Sequence, residues 1–247
     1  MSDATPKPVP EFSLVIPVYN EEENVAPLLQ GIREALDPLA RPFEVVLVDD
    51  GSSDRSFERM REEAGRDPRL RIVRFKKNAG QSAAFAAGFD AARAPVVVTM
   101  DADLQNDPRD IPALLEKIPE WDAVCGWRMK RQDTFLRRVS SKIANRIRNW
   151  LSQETIRDTG CSLKAFKREA VLKIHRFVGM HRFLPTLVKM HGYRVTELPV
   201  RHHPRQFGTS KYGVWNRALR GLVDLLAVRW LKQRMIRYEI EQEVGER

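Results

Sequence analysis

The residues with the clearest capacity for chemistry are Asp101 and Asp103, which flank Ala102 just after the apolar run Pro95–Met100 (PVVVTM). Alternate residues of an extended segment point the same way, so two carboxylates leave this strand end together. Like charges held that close are costly unless a cation neutralises them. Mg²⁺ and Mn²⁺ prefer such hard oxygen ligands and often bridge carboxylates to substrate phosphates. Gln105, two residues on, adds an amide oxygen. A lone Asp-x-Asp is more often only a polar turn after a strand, so the neighbouring residues decide its reading.

A second acidic cluster, Asp49-Asp50-Gly51-Ser52, ends the apolar run Phe43–Val48. A carboxylate there can accept hydrogen bonds from a ribose or a base N–H, whereas Ser53 and Asp54 suit a turn and helix cap. Tyr19, after the first apolar run, can line a base pocket. Arg128 follows Gly126-Trp127 and suits a phosphate. The stretch His202–Tyr212 carries Arg205 and Lys211 among Gly, Ser and Thr, and as a loop it could close over a diphosphate. No GxGxxG lies in the first loop and no GxxxxGK[ST] occurs anywhere, which disfavours a dinucleotide-binding protein and excludes a P-loop enzyme. His202 and His203 lack partners at zinc spacing. His175, His181 and His191 are read as packing or capping residues, and Cys125 and Cys161 as reduced core residues.

The elements that would position these groups alternate in type. Phe12–Val18, Phe43–Val48, Arg69–Phe75, Pro95–Met100 and a run ending at Ala123–Gly126 read as strands, with Arg194–Val200 as a later one. Asn20 is expected to cap a helix with Glu21, Glu22 and Glu23 in its first turn, followed by Val25, Leu28, Leu29, Ile32 and Leu36 on one face. Gln81–Arg93 reads as a helix with a small-residue face for close packing. The alternation predicts a parallel, doubly wound α/β sheet, which binds ligands outside the carboxyl ends of its strands.

The 247 residues are 43% apolar, enough for one domain with a real core and too apolar for disorder. The net charge of +9 (42 Lys+Arg against 33 Asp+Glu) points to an anionic partner: nucleic acid, phosphorylated ligand or membrane surface. Met1–Pro10 has neither a basic nor an apolar leader segment and reads as a flexible tail. The longest stretch without a charged side chain, Asn78–Phe89, falls short of the roughly 20 residues of a spanning helix. Residues 135–151 place Phe135, Val139, Ile143, Ile147 and Trp150 on one stripe, interleaved with Arg137, Arg138, Lys142 and Arg146. The last forty residues repeat that basic, amphipathic pattern. Such helices are core helices, nucleic-acid binders or interfacial helices on anionic headgroups; Trp150, Trp215 and Trp230 favour the interface.

VIPVYNEEENV, VDDGSSDRS, GQSAAFAAGFDAA, MDADLQNDP, DTGCSLKAFKREAV, HRFLP and PRQFGTSKYG occur in that order. The ordered set resembles the family-2 glycosyltransferases, and in particular the polyprenyl-phosphate sugar synthases, over about residues 11–230. The resemblance implies a GT-A fold. It also implies inverting, metal-dependent transfer of mannose or another hexose from a nucleotide sugar to a polyprenyl phosphate. By position, Pro17, Tyr19, Glu21, Val48 and Asp50 would hold the nucleoside. Asp101, Asp103 and Gln105 would hold Mg²⁺ or Mn²⁺ on the donor diphosphate, with Ala102 beside it. Arg128, Arg182, Arg205 and Lys211 would contact phosphates, and Arg137 and Ser141, with Arg138 near, would receive the acceptor phosphate.

The expected layout is a tail over 1–10, a catalytic domain over 11–212 with an interfacial acceptor helix at 135–151, and a basic amphipathic helix over 213–247. Many bacterial relatives add membrane-spanning helices after the SKYG region. Here Arg220, Asp224 and Arg229 interrupt the apolar segment, so the expectation is a peripheral enzyme on the cytosolic membrane face, in contact with lipid or a membrane-embedded protein. A saccharide acceptor is the nearest alternative. A nucleic-acid binder leaves both acidic clusters unexplained, since they would repel phosphates without a metal.

Overall fold

The computed structural model describes residues 9–129, 156–204 and 214–236. The expected acceptor helix with Arg137, Arg138 and Ser141, the loop residues Arg205 and Lys211, and most of the N-terminal tail lie outside the described residues.

Seven strands form one sheet: β1 (Phe12–Val18), β2 (Phe43–Asp49), β3 (Leu70–Arg74), β4 (Val96–Thr99), β5 (Ala123–Arg128), β6 (Lys164–Lys167) and β7 (Val195–Val200). Their order is β3-β2-β1-β4-β6-β5-β7. β1 pairs in parallel with β2 and β4, β2 with β3, and β5 with β7. β6 runs antiparallel between β4 and β5. The sheet is therefore mixed, a correction to the purely parallel expectation. The strand that was not foreseen, Lys-Ala-Phe-Lys, is short and has lysine at both ends, and only its central position buries it.

β1 and β2 are buried along almost their whole length, as continuous apolar runs require of strands covered on both faces. Leu14, Ile16, Val45 and Leu47 join the core under α1 (Val25–Leu36), α2 (Ser56–Ala64) and α4 (Ile111–Lys117). Val15, Val46 and Val48 face the opposite core with α3 (Gln81–Ala91), α5 (Arg168–Lys173) and α6 (Leu184–Met190). A Cβ on Gly88 of α3 would collide with Val15, so the small-residue face brings this helix against the sheet as expected. α7 (Val214–Arg234) buries Leu225 and Val228 on that same face but leaves Leu222, Val223, Leu226 and Trp230 exposed.

Val25, Leu28, Leu29, Ile32 and Leu36 are all buried on α1, yet the helix starts at Val25 and Asn20 does not cap it. Asn20 instead takes a left-handed conformation (φ 52°) in the preceding loop. Its Oδ1 accepts from the Ser53 backbone N–H at 2.8 Å, so tertiary pairing replaces the local cap.

Candidate active site

Because β6 opposes its neighbours, the carboxyl ends of β1 to β4 and of β5 share one edge with the segment 158–163 that enters β6. The loops after β1 and β2 are joined there by hydrogen bonds from backbone amides. Asn20 N–H donates to Ser52 Oγ (3.0 Å), Glu21 N–H to Ser56 Oγ (2.8 Å) and Glu22 N–H to Asp54 Oδ2 (3.2 Å). Pro17, Tyr19 and Glu21 lie half-buried along this seam, and Val48 is fully buried beneath it.

Asp50 is buried, and its carboxylate accepts from Asn78 Nδ2 (2.9 Å), Ala79 N–H (2.7 Å) and Gly80 N–H (2.9 Å). Burial, with Asp49 alongside, still pushes its pKa up. Asp50 thus fixes the loop that enters α3. Gly80 bends there with φ 91°, outside the range of most side chains, and delivers Gln81. Gln81 Nε2 donates to Asp101 Oδ1 at 2.8 Å. A continuous set of contacts runs from the end of β2 to the end of β4.

Asp101 is half-buried and Asp103 is buried. Burial first, and Asp103 second, push the Asp101 carboxyl up to about 6, against Ser162, Lys164 and Arg128. Leu104 takes φ 60°, turning the chain so that Gln105 N–H reaches Asp103 Oδ1 at 3.3 Å. Ala102 is buried between the two acids. Asn106 Oδ1 accepts from Ser162 Oγ (2.7 Å), and His203 N–H donates to Gln105 O (2.9 Å). Among the described residues no three His, Cys, Asp or Glu side chains cluster as a metal site. The Asp101 and Asp103 carboxylates, with the Gln105 amide two residues on in sequence, offer hard oxygen donors at this strand end. Mg²⁺ commonly takes one or two carboxylates and completes its shell with phosphates and water. The residues present fit such an ion.

Asp101 and Gln81 open onto a cavity of about 200 Å³ whose wall includes Thr159, Ser162, Lys164, His181 and Arg182. Lys164 is buried, and its Nζ donates to Cys161 O. His181 Nδ1 pairs with Ser82 Oγ at 2.8 Å. Arg182 faces Asp224 of α7 at 3.4 Å. Arg128, at the end of β5, makes a two-pronged pair with Asp158 (2.7 and 2.9 Å); it is the charge-assisted, bidentate geometry that fixes a guanidinium most firmly.

The structure therefore brings Asp101, Asp103, Gln105, Arg128 and Arg182 to one edge, with Asp50 behind them. Sequence reasoning misses Gln81, Asp158, Ser162, Lys164 and the placement of His181, which it reads as a packing or capping residue. Gln81 sits inside a helix chosen for its small residues. Asp158, Ser162 and Lys164 depend on β6 and the segment that enters it, and His181 on its pairing with Ser82 of α3. The signal available is polar residues directly after Gly80, around Gly160 (Asp158, Thr159, Ser162), and in the His181-Arg182 pair two residues past Gly179. Cys125 and Cys161 are buried free thiols, as expected, and burial raises both.

Comparison with known proteins bears on this geometry. Residues 13–174 match the family described as glycosyl transferase family 2. A dodecaprenyl-phosphate galacturonate synthase of Rhizobium johnstonii is 41% identical over 224 residues, covering 88% of this chain and 66% of the relative. An undecaprenyl-phosphate 4-deoxy-4-formamido-L-arabinose transferase of Edwardsiella ictaluri is 39% identical over 210 residues, 84% of this chain and 65% of the relative. The chain thus spans just under two thirds of the length of these curated relatives. Among solved structures, a Pyrobaculum calidifontis mannosyltransferase in complex with GDP-Man and Mn²⁺ superposes with TM-score 0.63 at 23% identity, over 93% of this chain and 72% of that one. A Mycobacterium tuberculosis glucosyl-3-phosphoglycerate synthase with Mn²⁺ and UDP-Glc gives TM-score 0.66 at 18% identity, over 89% and 79%. The described sheet and helices have the GT-A fold of these structures.

Proposed function

The chain belongs to glycosyl transferase family 2, and from that premise we propose that it transfers a sugar, with inversion, from a nucleotide sugar to a polyprenyl phosphate. One observation carries the reading. Asp101, fixed by Gln81, shares a cavity with Lys164 and Arg182. Carboxylates for a metal and cations for phosphates meet at the one sheet edge where α/β folds bind ligands. The two curated relatives described above both carry polyprenyl phosphate in their names, which supports the acceptor class.

The chemistry needs little from the protein beyond placement. An acceptor phosphate oxygen is already anionic, so it attacks the anomeric carbon without a strong general base. The bond from that carbon to the donor diphosphate breaks, and the nucleoside diphosphate leaves with the electron pair. Pro17, Tyr19, Glu21 and Asp50 line the nucleoside side, with Val48 buried beneath them. Asp101, Asp103 and Gln105 would hold Mg²⁺ or Mn²⁺, which would supply charge neutralisation to the diphosphate. Arg182, Arg128, Arg205 and Lys211 contact the phosphates, and placement does the remaining work. Arg137 and Ser141 receive the acceptor.

No helix among the described residues is long and apolar enough to cross a membrane. The exposed Leu222, Val223, Leu226 and Trp230 of α7, followed by Lys232 and Arg234, suit a peripheral contact with an anionic lipid surface on the cytosolic face. The test is a panel of labelled nucleotide sugars, UDP- and GDP-linked, with undecaprenyl phosphate in anionic vesicles and Mg²⁺ or Mn²⁺. Label moving into the lipid extract from one donor is expected. Transfer only to free saccharides would replace the acceptor assignment.

A further inference from the structure

Arg182 and His181 belong to a short segment, 177–183, held between two helices. On one side Ser82 Oγ of α3 accepts from Gly179 N–H (2.9 Å) and pairs with His181 Nδ1 (2.8 Å). On the other side lies Asp224 of α7. Gly179 has φ 102°, and a Cβ there would collide with the Asp224 carboxylate. Asp224 Oδ2 faces Arg182 NH1 at 3.4 Å, and both side chains are partly buried. Around this contact α7 buries Leu225 and Val228 in the same core as Met180, Phe183 and Leu184. An acidic residue thus sits within the buried stripe of a helix, where Leu or Val would be ordinary, aimed at a cation that lines the cavity of Asp101.

We propose that Asp224 is a positioning residue that aims Arg182 into the donor cavity and so makes diphosphate affinity depend on the seating of α7. The proposal rests on the reading of this cavity as a donor site. An arginine about a third exposed has many rotamers leading to water, and holding it before the ligand arrives lowers the entropy lost on binding. A neutral but isosteric residue at 224 leaves the packing and frees the guanidinium. Arg182 is expected to touch the diphosphate in ground state and transition state alike, so the loss falls on KM and leaves kcat nearly unchanged.

The experiment is a double-mutant cycle read by calorimetric binding of UDP and GDP with Mn²⁺, with donor KM and kcat as the second readout. Asp224→Asn is expected to weaken nucleotide binding about tenfold, the size of one oriented charge-assisted contact. Asp224→Glu is expected to restore most of it. In an Arg182→Gln background, Asp224→Asn is expected to do nothing further. Equal weakening in both backgrounds, or no change in either, overturns the positioning role while leaving the donor site standing. Failure of the unsubstituted protein to bind either nucleotide overturns the donor-site reading itself, and the positioning role with it.

Discussion

The two ends of the sheet each hold a carboxylate, and they treat it in opposite ways. At the amino end, Glu44 of β2 accepts from Ser13 Oγ (2.6 Å), Arg93 N–H (2.7 Å) and Arg71 NH1 (3.1 Å). Burial alone would raise its pKa, but these donors together hold it below the ordinary value of 4.5. At the carboxyl end, Asp101 receives Gln81 and is pushed up to about 6 by burial and by Asp103. One acid is fully answered by the protein. The other keeps a like-charged neighbour, Asp103, and with burial this outweighs Ser162, Lys164 and Arg128. The amino end is built for stability and, on the function proposed above, the carboxyl end for a ligand; the same residue class serves both through its surroundings.

The largest test of that contrast removes the like-charged neighbour. Asp103→Ala is expected to lower transfer by roughly a thousandfold or more, the scale of losing a principal charge-stabilising group. Its unfolding midpoint in urea should stay level or rise, because a like charge beside Asp101 is gone. Full turnover at saturating Mn²⁺ would break the metal assignment, and a large loss of stability would break the contrast.

Gln81 offers a gentler probe of the same end. It touches Asp101 but is not itself placed as a metal ligand. Partners that orient ligating groups typically contribute 10–100-fold in metal affinity. Gln81→Leu is accordingly expected to raise the Mn²⁺ concentration for half-maximal turnover by about that factor, with kcat at saturating metal within a few-fold of the parent. An unchanged metal dependence would show that the 2.8 Å contact does not hold Asp101 in its working position.

How much of each end could be read beforehand follows from the range of the contacts. β1, β2 and β4 declare themselves because strands covered on both faces must be apolar throughout. Asp101 and Asp103 are legible because residue type and a spacing of two suffice to place both at a strand end. β6 is not legible: Lys164 looks solvent-facing, and only the pairing with Thr99 and Cys125 puts it inside. Asn20 misleads because its partner, Ser53, lies 33 residues away. His181 misleads for the same reason, since Ser82 is 99 residues distant. The chemistry-bearing acids are local features. The groups that aim and balance them are tertiary ones, and no local pattern encodes those.

The smallest effect, and the sharpest for the contrast, lies at the amino end. Glu44→Gln keeps the shape but removes the charge that Arg71 and the Arg93 N–H answer, and hydrogen bonds to a buried charged group contribute about 1.5–3 kcal/mol. A loss of about 2 kcal/mol in urea unfolding at pH 7 is expected, with turnover unchanged. The pH dependence fixes the cause. The Glu44 pKa is lower folded than unfolded, so its contribution is fully present above the unfolded value and disappears as pH falls through the folded one. The stability gap between parent and Glu44→Gln should stay constant from pH 7 down to about 5 and narrow at lower pH. A gap that persists unchanged into that acid range would assign the loss to packing rather than charge. The carboxylate at the amino end would then be a shape filler, and the two ends would no longer differ in the way their charges are answered.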